Sequence, residues 1–197
     1  MKEELLLKEI VPKALELWDV NPKKISLPLQ SENTVFKIED SNGNNFALRI
    51  SKEGRHHFNE FTSEYLWMSH LADIGLKVPK TVLSIEREAF VEIENTLSTK
   101  KVYACLLSWL EGQQLSSLLP VMKKEDVKNT YKSLGGVIAK LHTAAIDWNA
   151  PKEFSRPSFD VDGLLGEEPL WGRFWEVKSI NSSDRMDLNL IKDKLRI

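Results

Sequence analysis

The sequence holds a single cysteine, Cys105, so no internal disulfide can form. Cys105 sits in the apolar run Val102 to Leu107, where a buried, inert core thiol is expected rather than a nucleophile. A surplus of positive charge is also missing. The 27 Lys+Arg against 29 Asp+Glu leave a formal charge of −2, with no dense basic run, which argues against a nucleic-acid partner. Long apolar stretches are missing too. The opening MKEELLLKEIVPKALELW has charges breaking every apolar run, so it reads as neither a signal peptide nor a membrane span. No membrane partner and a cytoplasmic location are the default expectation. No internal repeat or low-complexity tract is present. Apolar residues, by contrast, make up 42% of the chain, enough for a packed core. A length of 197 residues suits one sizeable domain or two small lobes around a shared cleft.

The hydrophobic period divides the chain. Leu7, Ile10, Val11, Ala14, Leu15 and Trp18 recur at helical spacing, and Asn21-Pro22 ends that helix. The period then becomes two. Lys24 to Leu29, Thr34 to Glu39 and Asn45 to Ile50 read as strands, with Asp40 to Asn44 closing a hairpin between the last two. Helical spacing returns after Gly54 with Phe58, Phe61, Tyr65, Met68 and Ala72, and Gly75 and Pro79 close that region. Strands are expected at Thr81 to Ile85, Ala89 to Ile93 and Val102 to Trp109, the last nearly continuous in apolar residues, as in a central strand. Beyond Gly112 the character turns helical. Val127, Tyr131, Leu134, Ile138 and Leu141 form a stripe, and Gly135-Gly136 within it predicts close packing against a neighbour. Asp147 to Glu176 is rich in Pro and Trp, and Arg185 to Ile197 reads as a final helix. Asp160-Val161-Asp162-Gly163 lacks the further ligands of a calcium loop and reads as a turn, and His56-His57 is too isolated for a metal site.

The ordered set FALRI, a helix carrying Glu, GLKVPK, LLSWLEG, LGGVIAKLH and RPSFDVDGLLGEEPLWGRFW resembles the aminoglycoside phosphotransferase and choline kinase group, which includes homoserine kinases. The resemblance covers most of the chain. It implies an α+β, protein-kinase-like fold. An antiparallel N-lobe with one inserted helix would occupy residues 1–110, and a truncated, mostly helical C-lobe residues 111–197. It also implies ATP or GTP with Mg²⁺ as cofactor and a small-molecule acceptor as partner.

Strand alternation puts Phe46, Leu48 and Ile50 on one face and Ala47 and Arg49 on the other. From the strand alone, Arg49 reads most simply as a solvated cation on an exposed sheet face. The resemblance instead makes Arg49 the phosphate-binding position, where the family often has Lys; Arg remains a permanent cation able to grip phosphate bidentately. Its partner carboxylate is expected on the next helix, from Glu60 or Glu64. Glu64 borders the apolar stripe, one turn after Phe61 and one before Met68, and is the choice for the ion pair; an ordinary surface Glu is the alternative. Ser108 and Leu110 fall on the family's hinge, where backbone groups bind adenine, although a plain strand end fits equally. Ser31 and Asn33 fall in the phosphate-covering loop, with a polar β-turn as the alternative.

Catalysis in this fold needs a later loop with an Asp for the accepting hydroxyl, an Asn for metal, and a further metal-binding Asp. None of His56, His57, His70 and His142 is followed by Asp two residues on. His142 is expected to end a helix. No catalytic or metal-binding residue is therefore assigned, and the metal ligands are expected in a region beyond the chain. Two readings follow: the nucleotide-binding half of a small-molecule kinase, inactive alone, or a degenerate kinase serving as a binding module. Trp171, Phe174 and Trp175 would help shape the acceptor side in the first.

Overall fold

A computed structural model describes residues 6–30, 33–51, 58–94 and 101–195. Ser31, His56 and His57 lie outside these, as do the side chains of Leu7 and Phe58. By backbone proximity the chain forms two compact units, Met1–Phe154 and Ser155–Ile197.

The first unit is built on a six-stranded antiparallel sheet. Its strands are β1 (Pro22–Gln30), β2 (Asn33–Asp40), β3 (Asn45–Ser51), β4 (Thr81–Val82), β5 (Val91–Ile93) and β6 (Val102–Ser108). The order is β1-β2-β3-β6-β4, with β5 also pairing with β6. The hairpin between β2 and β3 closes as its composition predicts. Gly43 takes a positive φ of 86°, which glycine adopts without steric cost. The Asp40 carboxylate accepts from the N–H groups of Asn42 (2.9 Å) and Asn44 (2.7 Å), satisfying the turn's backbone.

Alternation then gives the sheet two different faces. Phe36, Ile38, Leu48, Ile50, Val102, Ala104 and Leu106 point one way and are fully buried. They pack with Ile10, Val11, Ala14, Leu15 and Trp18 of the N-terminal segment, a π-helical turn Leu6–Ile10 running into α1 (Val11–Glu16). Each buried Leu, Ile, Val or Phe is worth about 1.5–3 kcal/mol relative to exposure. The Trp18 indole N–H, which needs an acceptor inside a core, donates to the Val82 carbonyl at 2.8 Å. The opposite face meets α2 (Phe58–Asp73). There Phe61 packs at 5.0 Å on Phe90 and 5.1 Å on Tyr103, with Cys105 in the same cluster.

Helices follow the sheet: α3 (Leu115–Leu118) and α4 (Lys124–Asp147) in the first unit. In the second are α5 (Val161–Leu165) and α6 (Ser182–Leu195). That second unit has its own small centre. Leu165 and Trp175 are buried, Lys192 lies 4.7 Å from the Trp175 ring, and Arg173 bridges Glu167 and Glu176. Among the described residues no helix is long and apolar enough to cross a membrane.

Several expectations need correction. Nothing lies within 4 Å of the Cβ positions of Gly135 and Gly136, so these glycines mediate no close packing. The helix itself forms, but its stripe is largely uncovered, and Ala144 is its one buried residue. His142 does not end this helix, which runs five residues further to Asp147. The strand expected over Thr81 to Ile85 is two residues long: after Val82 the chain turns back at Arg87, whose φ is 64°, and Ser84 accepts from Glu88. Asp160 is not in an isolated turn but caps α5, its carboxylate accepting from Gly163 N–H at 2.8 Å.

Candidate functional site

The face of the sheet that meets α2 is assembled by register. β2 and β3 pair Val35 with Arg49, Lys37 with Ala47 and Asn33 with Ser51; β3 and β6 pair Arg49 with Cys105 and Ala47 with Leu107. Side chains paired across a sheet share a face. Val35, Arg49 and Cys105 therefore form one row, and Lys37, Ala47 and Leu107 the next. Except for Cys105 these side chains are half-buried, in contrast with the sealed opposite face.

Arg49 and Glu64 meet as the sequence predicts. Glu64 takes both prongs of the guanidinium, Nη1 to Oε1 at 2.5 Å and Nη2 to Oε2 at 3.0 Å. The helix that carries Glu64 is seated by Phe61, one turn earlier, in the aromatic cluster. The Phe90 ring lies 5.9 Å from the Arg49 guanidinium carbon. Burial opposes the charge on Arg49, but the interactions with Cys105 and Glu64 outweigh it and raise its pKa above the ordinary value. Burial pushes the Cys105 thiol up to about 11, so it is neutral near pH 7, and the carboxylate of Glu64 is the partner that matters there.

Asn33 opens β2 on this same face, opposite Ser51, within a strand rather than a turn. Its Oδ1 is buried, and among the described residues it has no hydrogen-bond partner. At the other end, β6 leaves the sheet at Ser108. The Ser108 N–H donates to the Lys80 carbonyl at 2.8 Å and its hydroxyl accepts from the Lys80 N–H at 2.8 Å, neither using its own carbonyl. Leu110 is exposed, and among the described residues no backbone hydrogen bond ends on its N–H or carbonyl. Trp109 between them carries the Lys37 ammonium 4.6 Å from its ring centroid. Ser31 lies outside the described residues.

Sequence reasoning did not single out Val35, Lys37 or Leu107 as members of this face. Alternation gives the parity of residues within one strand, but the register between strands decides which of them stand beside Arg49. Nor did it find the ring cluster of Trp67, His70, Trp148 and Phe154, which joins residues about eighty positions apart and has no local signature.

Among the described residues no group of three or more His, Cys, Asp or Glu side chains is placed to hold a metal ion. The described part of the face therefore offers a fixed cation, an apolar strip and the unengaged backbone of Leu110.

The phosphotransferase enzyme family matches residues 26–179. Among solved structures, the chain is similar to a microcompartment-associated aminopropanol kinase, with TM-score 0.78 and 24% identity over 93% of this chain and 55% of that one. It is also similar to the amicoumacin kinase hAmiN in complex with AMP-PNP, Ca²⁺ and Ami, with TM-score 0.72 and 18% identity over 100% of this chain and 53% of that one. At these identities the likeness is one of fold, and the α+β architecture is kinase-like. The chain spans about half the length of both structures. No curated protein matches it.

Proposed function

The chain belongs to the phosphotransferase enzyme family, and we propose that it supplies the nucleotide-binding part of a small-molecule kinase. The kinase would move the γ-phosphoryl group of ATP or GTP onto a hydroxyl of a small acceptor. Residues 1–110 would form the nucleotide-binding lobe and residues 111–197 part of a helical lobe.

The observation that carries this reading is the two-pronged pair of Arg49 and Glu64 on the half-buried face. Phosphoryl transfer demands positioning and stabilisation of charge on phosphate oxygens more than covalent chemistry by the protein. A guanidinium has five N–H donors and does not lose its charge. Glu64 engages one N–H on each terminal nitrogen, which fixes the fork and leaves further donors for phosphate oxygens. Asn33, on the same face opposite Ser51, would donate from its Nδ2 amide to the phosphates as a second polar contact. Val35, Ala47 and Leu107 make a half-buried apolar strip beside Arg49, suited to the flat face of a purine. The edge of the base would then reach the Ser108 carbonyl and the Leu110 N–H and carbonyl.

In the transfer itself a bond forms between the acceptor oxygen and the γ-phosphorus, and the bond from that phosphorus to the β,γ-bridging oxygen breaks. Mg²⁺ would accompany the nucleotide and neutralise phosphate charge. Among the described residues no group of three or more His, Cys, Asp or Glu side chains is placed to hold it, and a base for the hydroxyl proton would have to come from elsewhere. These residues are therefore expected to hold nucleotide without turning it over.

A crystal structure with a non-hydrolysable ATP analogue tests the placement. The triphosphate is expected within hydrogen-bonding distance of Arg49, with the base edge at Ser108 to Leu110. A nucleotide bound on any other surface would overturn the reading.

A further inference from the structure

Glu64 stands between two anchors on the circumference of α2. Successive helical residues lie about 100° apart, which puts Phe61 about 60° to one side of Glu64 and Trp67 and His70 about 60° and 120° to the other. Phe61 is held by Phe90 and Tyr103 against the sheet. On the other flank the Trp67 and His70 rings lie 5.6 Å apart, and both meet Trp148, the residue directly after α4, at 4.9 Å and 5.4 Å. The His70 and Trp148 planes are stacked within 20°, and Phe154 closes on Trp148 edge-on at 4.7 Å. Among the described residues the buried His70 Nε2 has no hydrogen-bond partner, and its ring lies against Trp67 and Trp148.

We propose that this aromatic clasp is a positioning device for the ion pair. By stacking on His70 and Trp67, Trp148 sets the rotation of α2 about its axis and keeps both Glu64 oxygens turned toward Arg49. A bidentate contact tolerates little rotation, because both N–H···O bonds weaken as their angles close. Phe61 and the partly buried Tyr65 seat α2 on the sheet-side cluster, and the stacked rings add a contact on the far side of Glu64 that opposes rolling of the helix toward or away from Arg49. His70 and Trp148 are positioning residues in this account, acting on the site through Glu64. The inference rests on the ion pair alone and does not require that a nucleotide binds there.

Solution NMR of arginine side-chain N–H groups in the full-length protein tests it, with the Arg49 signals assigned by their loss in Arg49→Lys. In the wild type the Arg49 guanidinium protons are expected to exchange slowly, held by Glu64. Trp148→Leu fills much of the volume without stacking and is expected to abolish this protection, as Glu64→Gln does, whereas His70→Phe preserves it. A double-mutant stability cycle of Glu64→Gln with Trp148→Leu adds a second readout. The second substitution is expected to cost less once the first is present. Persistent Arg49 protection in folded Trp148→Leu, or strictly additive costs, would overturn the proposal.

Discussion

Arg49 on β3 and Glu64 on α2 face one another as a fork against a fork, Nη1 to Oε1 at 2.5 Å and Nη2 to Oε2 at 3.0 Å. Fifteen residues separate them in sequence, and the strand and the helix both have to form before they meet. Their side chains are only 16% and 29% exposed, so solvent screens the pair far less than a surface salt bridge.

The pair therefore carries a stability prediction. Glu64→Gln keeps the shape of the side chain but removes the charge facing a half-buried guanidinium. A charge-assisted contact of this kind is worth roughly 1.5–3 kcal/mol, and the variant is expected to lose about that much in urea unfolding at pH 7. A loss below about 0.5 kcal/mol would place the pair among weak surface bridges.

Cys105 makes a chemical prediction. With its pKa pushed up to about 11 by burial, the folded thiol is almost wholly protonated at pH 8, so a thiol reagent should leave the native protein unmodified. Denaturation should release one reactive thiol. The raised pKa also has a sign for stability. The folded state holds this proton more tightly than the unfolded chain, whose thiol titrates near its ordinary value of about 8.5. This contribution is fully present below that value and is lost as pH rises toward 11. Rapid modification of the native protein at pH 8 would contradict the buried placement.

The sheet was largely legible in the sequence because alternation in TVFKIE and NFALRI is strict and the residues between them favour a turn. Glu64 was legible for a related reason: a helical wheel places it at the border of the stripe led by Phe61. Periodicity says less about what covers a face. Val127, Tyr131, Leu134, Ile138 and Leu141 have the spacing of a buried stripe, and α4 does form, yet Tyr131, Leu134 and Ile138 are 51%, 43% and 42% exposed. The pattern records the need for a partner without naming one. Gly135-Gly136 misled in the same way, since low helix propensity is not itself evidence of a neighbour. That Val35, Lys37 and Leu107 stand on this face beside Arg49 was out of reach, because cross-strand register is a tertiary property.

That uncovered stripe gives a third prediction. The 197-residue chain should bind a dye that reports exposed apolar surface. Leu134→Lys combined with Ile138→Lys should weaken the dye signal while each change alters stability by no more than about 0.5 kcal/mol, as for exposed positions. A loss of several kcal/mol would mean that the stripe is packed in solution.

The central claim is that Arg49 holds nucleotide phosphates while the end of β6 holds the base. Calorimetric titration of ATP and adenosine into the wild type, Arg49→Ala and Glu64→Ala tests it most directly. Losing a charge-assisted contact costs about 1.5–3 kcal/mol, or roughly ten- to a hundredfold in affinity. Arg49→Ala should weaken ATP by that factor and leave adenosine unchanged, since adenosine carries no phosphate. Glu64→Ala should act in the same direction but less strongly, because it only orients the guanidinium. Equal losses for ATP and adenosine, or no change for either in a correctly folded Arg49→Ala protein, would contradict the account.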